Sequence, residues 1–563
     1  MDGSAHRTFM SIQIFDYFEQ IPRDGGLPAP WAARAPRRPQ ADHDLKLTPR
    51  AQRWQDDAAT LQALRQLECE PWVQDLGRER HAIRLRLADD WVEATGAALE
   101  AGGSAEAPLA ELAQGQRFSV QFWDANATKA LHVGHLRNLA IGNALAAALA
   151  QAGARIERRS RISDMGRAMG EAMAGVAQSG RHAQGWSDGD EKSDHFVGMC
   201  YADYVAGGGL PAAGQLEQAE DSLSREEQVH NDAADQLIKG VLAGEPEAVE
   251  LWYKTRAWVI AGQRKTLARL GVSFDRVFFE SDFLSETAEL TEAGLRAGTL
   301  RRREDGVVVY VTGLKELEEL PLMRADGLST QHLRSLTYAM TAPELDGMTS
   351  LQVTGSEWVA HLACIRKLAS ELRPGLNGGF HPSRSIFHGM VSSQKRALTS
   401  SAGALLIDDI TDWIDAQIDR DPERSAVRRG HPCPERIAAQ VALGYFLPHP
   451  PTPDVDFEPA KLLRARESLG WDLARARAHG GRGAATSGRP AQDRDYRFAV
   501  VQSELYRRYL RLAVQRLDVR PLADYLRHLA IWHLERERSE PVERIMNTLL
   551  DRSARGLGLE ATR

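Results

Sequence analysis

Cysteine is scarce: four residues in 563, at Cys69, Cys200, Cys364 and Cys433, with no CxxC pair. That spacing argues against a disulfide scaffold or a zinc ribbon and suits a reducing compartment. Long apolar runs are also missing. The Ala/Leu-rich stretch at 139–150 is interrupted by Gly142 and Asn143 and is shorter than a membrane span requires. The opening Met1-Asp2-Gly3-Ser4 has no basic region followed by an apolar segment, so no secretory signal is read. Internal repeats are absent, which excludes solenoid architectures. The expectation is a cytoplasmic, monomeric protein with no membrane partner.

What is present is ordinary globular composition, 43% hydrophobic and 26% charged, over a length that accommodates several domains. Net charge is −7, unevenly spread. From Lys461 to Arg563 there are 21 Lys+Arg, 20 of them arginine, against 13 Asp+Glu, a net of +8; the remainder carries −15. A basic end on an acidic protein is either a polyanion footprint or an arginine-rich solvated surface, and the sequence leaves both open.

Three segments follow from the patterning. Residues 1–110 contain a Pro/Arg/Ala-rich start and a small α+β unit, with a helix near Ala58–Leu67 and an alternating strand at Ala82–Leu87. Residues 111–430 turn to a βα pattern. Phe118, Val120 and Phe122 alternate on a strand, a helix runs from about 134 to the stop at Gly153, and Arg155–Ile162 reads as the next strand. Residues 170–300 read as mostly helical, and strand-like runs return at Val307–Val311, Leu351–Thr354 and Ile386–Phe387. Residues 431–563 read as almost all helix, with a Gly/Ala/Ser-rich linker at His479–Asp493.

The segment richest in chemistry is Asn126-Ala127-Thr128-Lys129-Ala130-Leu131-His132-Val133-Gly134-His135-Leu136-Arg137-Asn138. It sits between the first strand and its helix, where doubly wound sheets hold ligands. Gly134 permits close backbone approach, and the helix start adds N–H donors and a positive field. His132 and His135 supply hydrogen-bond donors for phosphate oxygens, and Lys129 a point charge. A bare HxGH also suits metal ligands or core histidines. The surrounding strand, Asn, Lys and helix start, with Asp164-Met165-Gly166 after the next strand, favour a nucleotide site.

These residues resemble the HIGH signature of class I aminoacyl-tRNA synthetases, and specifically of arginine–tRNA ligases. The resemblance is colinear through Ser193-Asp194-His195-Phe196-Val197-Gly198, Leu251-Trp252, Gly271-Val272-Ser273-Phe274-Asp275, Glu280-Ser281, Arg324-Ala325-Asp326-Gly327, Val353-Thr354-Gly355-Ser356-Glu357 and His388-Gly389-Met390-Val391. It implies an α/β fold: a Rossmann-type class I catalytic domain, a small N-terminal α+β domain and a C-terminal helical bundle. It also implies ATP and Mg²⁺ as reaction partners, an amino acid as substrate and tRNA as a partner of the basic C-terminal segment, with no metal held by the protein itself. Lys129, His132, His135 and Lys395 are then the catalytic set. Gly134, Gly355, Glu357, His388 and Met390 surround ATP. Gln121, Asn126, Asp164, Gln331, Ser335 and Trp358 form the amino-acid pocket, with Asn126 on the α-amino group.

Departures from the family fall in that pocket. The resemblance places a Glu where Gln121 stands, a Tyr and an Asp that hold a guanidinium where Gln331 and Ser335 stand, and a Gln where Trp358 stands. A buried guanidinium needs acidic partners, and losing one costs about 2–5 kcal/mol. A neutral or differently charged amino acid suits this set better than arginine. The KMSKS-type loop is altered as well, reading Ser392-Ser393-Gln394-Lys395-Arg396-Ala397-Leu398-Thr399-Ser400-Ser401, with Ser401 in the basic position. In the C-terminal segment, Gly470-Trp471-Asp472-Leu473-Ala474-Arg475 replaces a Gly-Pro-Tyr-rich patch, and the chain closes at Ala561-Thr562-Arg563. Tyr506 and Tyr509, with Arg516, suit either RNA stacking or helix packing. Three readings remain open: an adenylate-forming paralogue for an amino acid other than arginine, an arginine–tRNA ligase with an unusual pocket, and a non-catalytic tRNA- or amino-acid-binding protein.

Overall fold

The computed structural model describes residues 31–40, 42–49, 58–79, 81–101, 107–181, 191–207, 225–314, 317–341, 347–372, 384–393, 396–397, 405–479, 489–535 and 537–560. Lys395 and Ser401 of the altered loop, and most of the 479–493 linker, lie outside them.

The first described unit is a four-stranded antiparallel sheet. Its strands are β1 (Trp31–Arg34), β2 (Leu45–Pro49), β3 (Val73–Arg78) and β4 (Ile83–Leu87), in the order β1-β2-β4-β3. In β4 Ile83, Leu85 and Leu87 are buried and the arginines between them are not, as alternation requires. Helices Ala58–Glu68 and Asp89–Glu100 complete this unit.

A five-stranded sheet, all of it parallel, forms the centre. It contains β5 (Arg117–Trp123), β6 (Arg155–Ile162), β7 (Arg276–Phe279), β11 (Thr349–Gly355) and β12 (Arg384–His388), ordered β12-β11-β5-β6-β7. Alternation in β5 is weaker than the sequence suggests: Ser119 and Gln121 are buried along with Phe118, Val120 and Phe122. A central strand in a parallel sheet is covered on both faces, so the polar residues are buried too. Helix Val133–Gln151 packs on β5, and Gly142 is the contact: a Cβ there would lie 2.2 Å from Phe122. The order reverses between β5 and its neighbours β11 and β6, which opens a crevice at the carboxyl ends of these strands.

Between β6 and β7 lie helices Arg167–Gln178, Ser193–Ala206, Arg225–Ala243 and Pro246–Leu270. Between β7 and β11 comes an antiparallel sheet of β8 (Arg301–Arg302), β9 (Val308–Leu314) and β10 (Leu317–Met323). After helix Ile407–Arg420 the elements among the described residues are helical apart from the short strand Val455–Asp456, the last of them being Arg494–Arg516, Arg520–Leu534 and Glu540–Gly556. Among the described residues no helix is long and apolar enough to cross a membrane.

The charge asymmetry has a structural explanation. Arginines of the C-terminal helices meet acids of the N-terminal unit. Arg497 is bound to Asp44 at 2.6 and 3.0 Å and to Asp89 at 2.6 Å, all but sealed from solvent. Arg489 reaches Asp90 and Glu93, and Arg544 reaches Glu100. Three of the 21 basic residues of this segment thus form a docking surface within the chain.

Candidate active site

A cavity of about 360 Å³ opens at the carboxyl end of the parallel sheet. One wall is the loop from β5 to helix Val133–Gln151. Gln263, buried, holds that loop by donating to the backbone oxygens of Asn126 (3.1 Å) and Lys129 (2.8 Å). Residues 405–407 clamp its far end, Val133 N–H to Leu405 O at 2.9 Å and Ile407 N–H to Leu131 O at 3.0 Å.

The two histidines are held in one tautomer. His132 Nδ1 accepts from the Gly134 N–H at 3.2 Å, and His135 Nδ1 accepts from the His132 N–H at 3.1 Å. With both Nδ1 atoms used as acceptors, the neutral ring carries its proton on Nε2. Burial, then the charge of Lys129, pushes the His132 pKa down to about 3; burial, then His132, holds His135 well below the ordinary value. Burial also lowers the Lys129 pKa. The wall therefore offers two neutral Nε2–H donors and one ammonium.

The opposite wall is the turn after β12. Arg137, fully buried, donates to the backbone oxygens of Gly389 (2.6 Å), Pro450 (2.8 Å) and Met390 (3.5 Å), pinning His388-Gly389-Met390 against the helix. His388 contacts Gly389 O at 2.9 Å and the Asn138 amide. Burial lowers its pKa to about 4, so it is neutral and donates through one nitrogen only. Its Nδ1 faces Gly389 O and its Nε2 faces Asn138 Oδ1, two acceptors that share the one ring proton. Gly355 and Glu357 border the same space. A Cβ on Gly355 would fall 2.0 Å from the Glu357 carboxylate, so glycine is what lets that carboxylate fold over the strand end.

The third side is the polar pocket. Gln331, Ser335 and Tyr338 line it from one face of helix Gln331–Thr341 at i, i+4 and i+7. The register of this helix is fixed by Arg334, whose Nε donates to the buried Glu280 carboxylate. Gln121 and Gln352 are paired across β5 and β11, and both donate to Asp124, at 2.7 and 2.9 Å and at 3.1 Å. Arg161, at the end of β6, donates to Ser335 Oγ at 2.7 Å and lies over the Tyr338 ring at 5.8 Å. Burial raises the Asp124 pKa, and Arg161 is the strongest opposing influence.

Of the residues singled out from sequence, this cavity gathers Gln121, Asn126, Lys129, His132, Gly134, His135, Gln331, Ser335, Gly355, Glu357, Trp358, His388 and Met390. Lys395 lies outside the described residues. Asp164 is not in the wall, against the pocket position expected for it. It is 0% exposed, its carboxylate taken by the Ser281 N–H (3.0 Å) and hydroxyl (2.7 Å) and by Arg256 (3.0 Å). Trp252 donates to its backbone oxygen at 2.8 Å. The Leu251-Trp252 and Glu280-Ser281 motifs are thus Asp164's anchors. Sequence reasoning missed Asp124, Arg161, Tyr338 and Gln352. Asp124 sits two residues before the quoted Asn126–Asn138 segment and was the accessible one; an arginine in the Arg-rich Arg155–Ile162 carries no signal of its own.

Tyr506 is packed inside, its hydroxyl bound to Gln151 and to Arg552 O. Tyr509 and Arg516 instead line a surface groove with Arg520 and His528.

The tRNA synthetases class I (R), catalytic domain family matches residues 104–188. The chain is 30% identical over 298 residues to the arginine–tRNA ligase of Bacteroides fragilis, covering 51% of this chain and 48% of that protein. It is 27% identical over 358 residues to that of Treponema denticola, covering 62% and 57%. The matches span about half the length of these curated relatives. In fold it is similar to Thermus thermophilus arginyl-tRNA synthetase, with a TM-score of 0.61 at 18% identity over 97% of both chains. It is similar also to that of Plasmodium falciparum, with a TM-score of 0.58 at 13% identity over 97% and 96%.

Proposed function

We propose that the chain belongs to the arginine–tRNA ligase family of class I tRNA synthetases and that it activates an amino acid other than ordinary arginine with ATP, forming an aminoacyl-adenylate for transfer to tRNA or another acceptor. The observation that carries the activation is the pairing of two neutral Nε2–H donors with Lys129 in one wall of a cavity whose other end is a polar, amino-acid-sized pocket.

In this reading Asn126 takes the α-amino group, and Gln121, Gln331, Ser335 and Trp358 surround the side chain. Gly134, Gly355, Met390 and His388 pack around adenosine, and Glu357 offers acceptors to the sugar hydroxyls. A substrate carboxylate oxygen attacks the α-phosphorus in line. The new O–P bond forms as the α–β bridging bond breaks, and pyrophosphate leaves with the electron pair. His132 and His135 donate to phosphate oxygens where charge accumulates, and Lys129 supplies the fixed positive charge. The altered loop with Lys395 adds a second cation to the departing pyrophosphate.

Mg²⁺ fits as a counter-ion carried on the triphosphate, where it neutralises phosphate charge. Among the described residues, the three-ligand cluster of Asp194, His195 and Asp408 already holds the Lys192 ammonium, at 3.0 Å from Asp194 and 2.6 Å from Asp408, and is no cage for it.

Asp124 favours a second reading, arginine activation, because it is a carboxylate in the pocket wall. Against it stands Arg161, a cation in the same wall. The groove with Tyr509 and Arg516 is the face proposed for tRNA. Amino-acid-dependent ATP–pyrophosphate exchange tests the central reading. Exchange that Lys129→Ala abolishes supports it; silence with every amino acid, with and without bulk tRNA, overturns it.

A further inference from the structure

We propose that Arg161 selects the substrate side chain, and that it selects one ending in an oxygen acceptor, an amide or ureido carbonyl or a carboxylate, rather than a guanidinium. The inference rests on the adenylation reading for its assay but not for its geometry.

Arg161 is 9% exposed and lines the cavity. Its guanidinium has five N–H donors. One reaches the Ser335 hydroxyl, and the guanidinium makes no other hydrogen bond or ion pair among the described residues. Nε and Nη2 are not sealed inside protein either, since neither is among the buried polar atoms that lack a partner. These donors open on the cavity and lack an acceptor there. A largely desolvated guanidinium in that state is strongly favoured by an incoming oxygen.

Asp124 does not offer that oxygen to a substrate cation. Gln121 and Gln352 donate to it through their side chains, to both of its oxygens. The Arg161 charge is also the strongest influence favouring the ionised form of Asp124. An arriving guanidinium would therefore bring only donors and a like charge to a cluster that already contains a cation and whose carboxylate is engaged by two amides. An oxygen acceptor completes the set. A neutral carbonyl leaves the Arg161–Asp124 balance unchanged, whereas a carboxylate tips it negative.

Citrulline and arginine are the decisive pair, because they share length and differ in a terminal oxygen against a charged nitrogen. Glutamine and glutamate separate carbonyl from carboxylate. Pyrophosphate exchange by the full chain should give a higher kcat/KM for an oxygen-ended substrate than for arginine. Arg161→Leu should lower that value about 10- to 100-fold, mostly through KM for the amino acid, with KM for ATP unmoved. Arg161→Lys should recover part of the loss. A merely structural Arg161 would depress all four substrates alike and leave their ratios unchanged; unchanged ratios overturn the proposal, as does a wild-type preference for arginine. If no amino acid supports exchange, adenylation fails, and calorimetric titration of the same four decides the inference alone. Oxygen-ended binding that Arg161→Leu abolishes supports it; tighter arginine binding, or no binding by any of the four, overturns it.

Discussion

Titrating the free protein from pH 8 to pH 5 should leave His132 and His135 uncharged. Each Nδ1 accepts a backbone N–H, so a proton added there breaks a hydrogen bond and creates a cation beside Lys129 in a desolvated wall. With the His132 pKa near 3, four units below neutral, holding it as imidazolium at pH 7 costs about 5 kcal/mol at 1.36 kcal/mol per unit. The unfolded chain takes up that proton near pH 6.5 and the folded chain only near 3. The contribution of His132 to stability is therefore complete above 6.5 and is lost as pH falls between the two. The measurement is ¹⁵N-histidine NMR, assigned with His132→Gln and His135→Gln, which should show the Nε2–H tautomer throughout. In exchange assays His132→Gln should lower kcat about 10²- to 10³-fold, the usual cost of one fixed donor to developing charge, with the acid limb of the profile unmoved. A titration midpoint near 6.5 for either ring in the free protein, or an acid limb that vanishes in His132→Gln, would refute the neutral-donor mechanism.

Three further outcomes follow from the packing. Gly134→Ala places a Cβ 3.0 Å from His132 Cε1 and 3.1 Å from its Nδ1, so the ring must shift by a few tenths of an ångström. Exchange should fall about tenfold with the thermal midpoint unchanged. Arg137→Leu frees the Gly389–Met390 turn from the helix, and KM for ATP should rise more than KM for the amino acid; equal rises would count against an adenosine role for that turn. Arg497→Leu strands the buried Asp44, which costs about 3–5 kcal/mol, and removes a partner of the partly exposed Asp89. The urea midpoint should drop and the N-terminal unit become protease-sensitive, while an unchanged midpoint would mean that the contact is not what docks it.

The elements with strong local periodicity or a fixed motif were legible from sequence. The βα unit around His132 and His135 needs a strand, a tight approach and a helix start within thirty residues, and each carries its own mark in Phe118–Phe122, Gly134 and the Ala/Leu run that follows. What escaped depends on long-range contact. Asp164 sits after a strand like a pocket residue, yet Arg256 and Ser281, from two distant segments, take up its carboxylate. The basic C-terminus reads the same whether its arginines meet RNA or the acids of another unit, and only the docked positions of Asp44, Asp89 and Glu100 tell the two apart.

The pocket shows why its substitutions are interpretable only together. Gln121 and Ser335 stand where the resemblance places carboxylates, and read singly each is a loss of charge. Arg161 lies on a third segment and, read singly, is one more arginine on a basic strand. Brought into one cavity they compensate. The positive charge that a guanidinium substrate would bring is already present as Arg161, bound to the hydroxyl of Ser335 and balanced by Asp124. A carboxylate at 335 would pair with Arg161 and close the cavity to both kinds of substrate, whereas a hydroxyl leaves most of the guanidinium donors open. On the proposed reading the cation belongs to the chain and the acceptor to the substrate, so Ser335→Asp in the wild-type background should fail to rescue arginine. Ser335→Asp should admit arginine only when Arg161 is replaced in the same molecule.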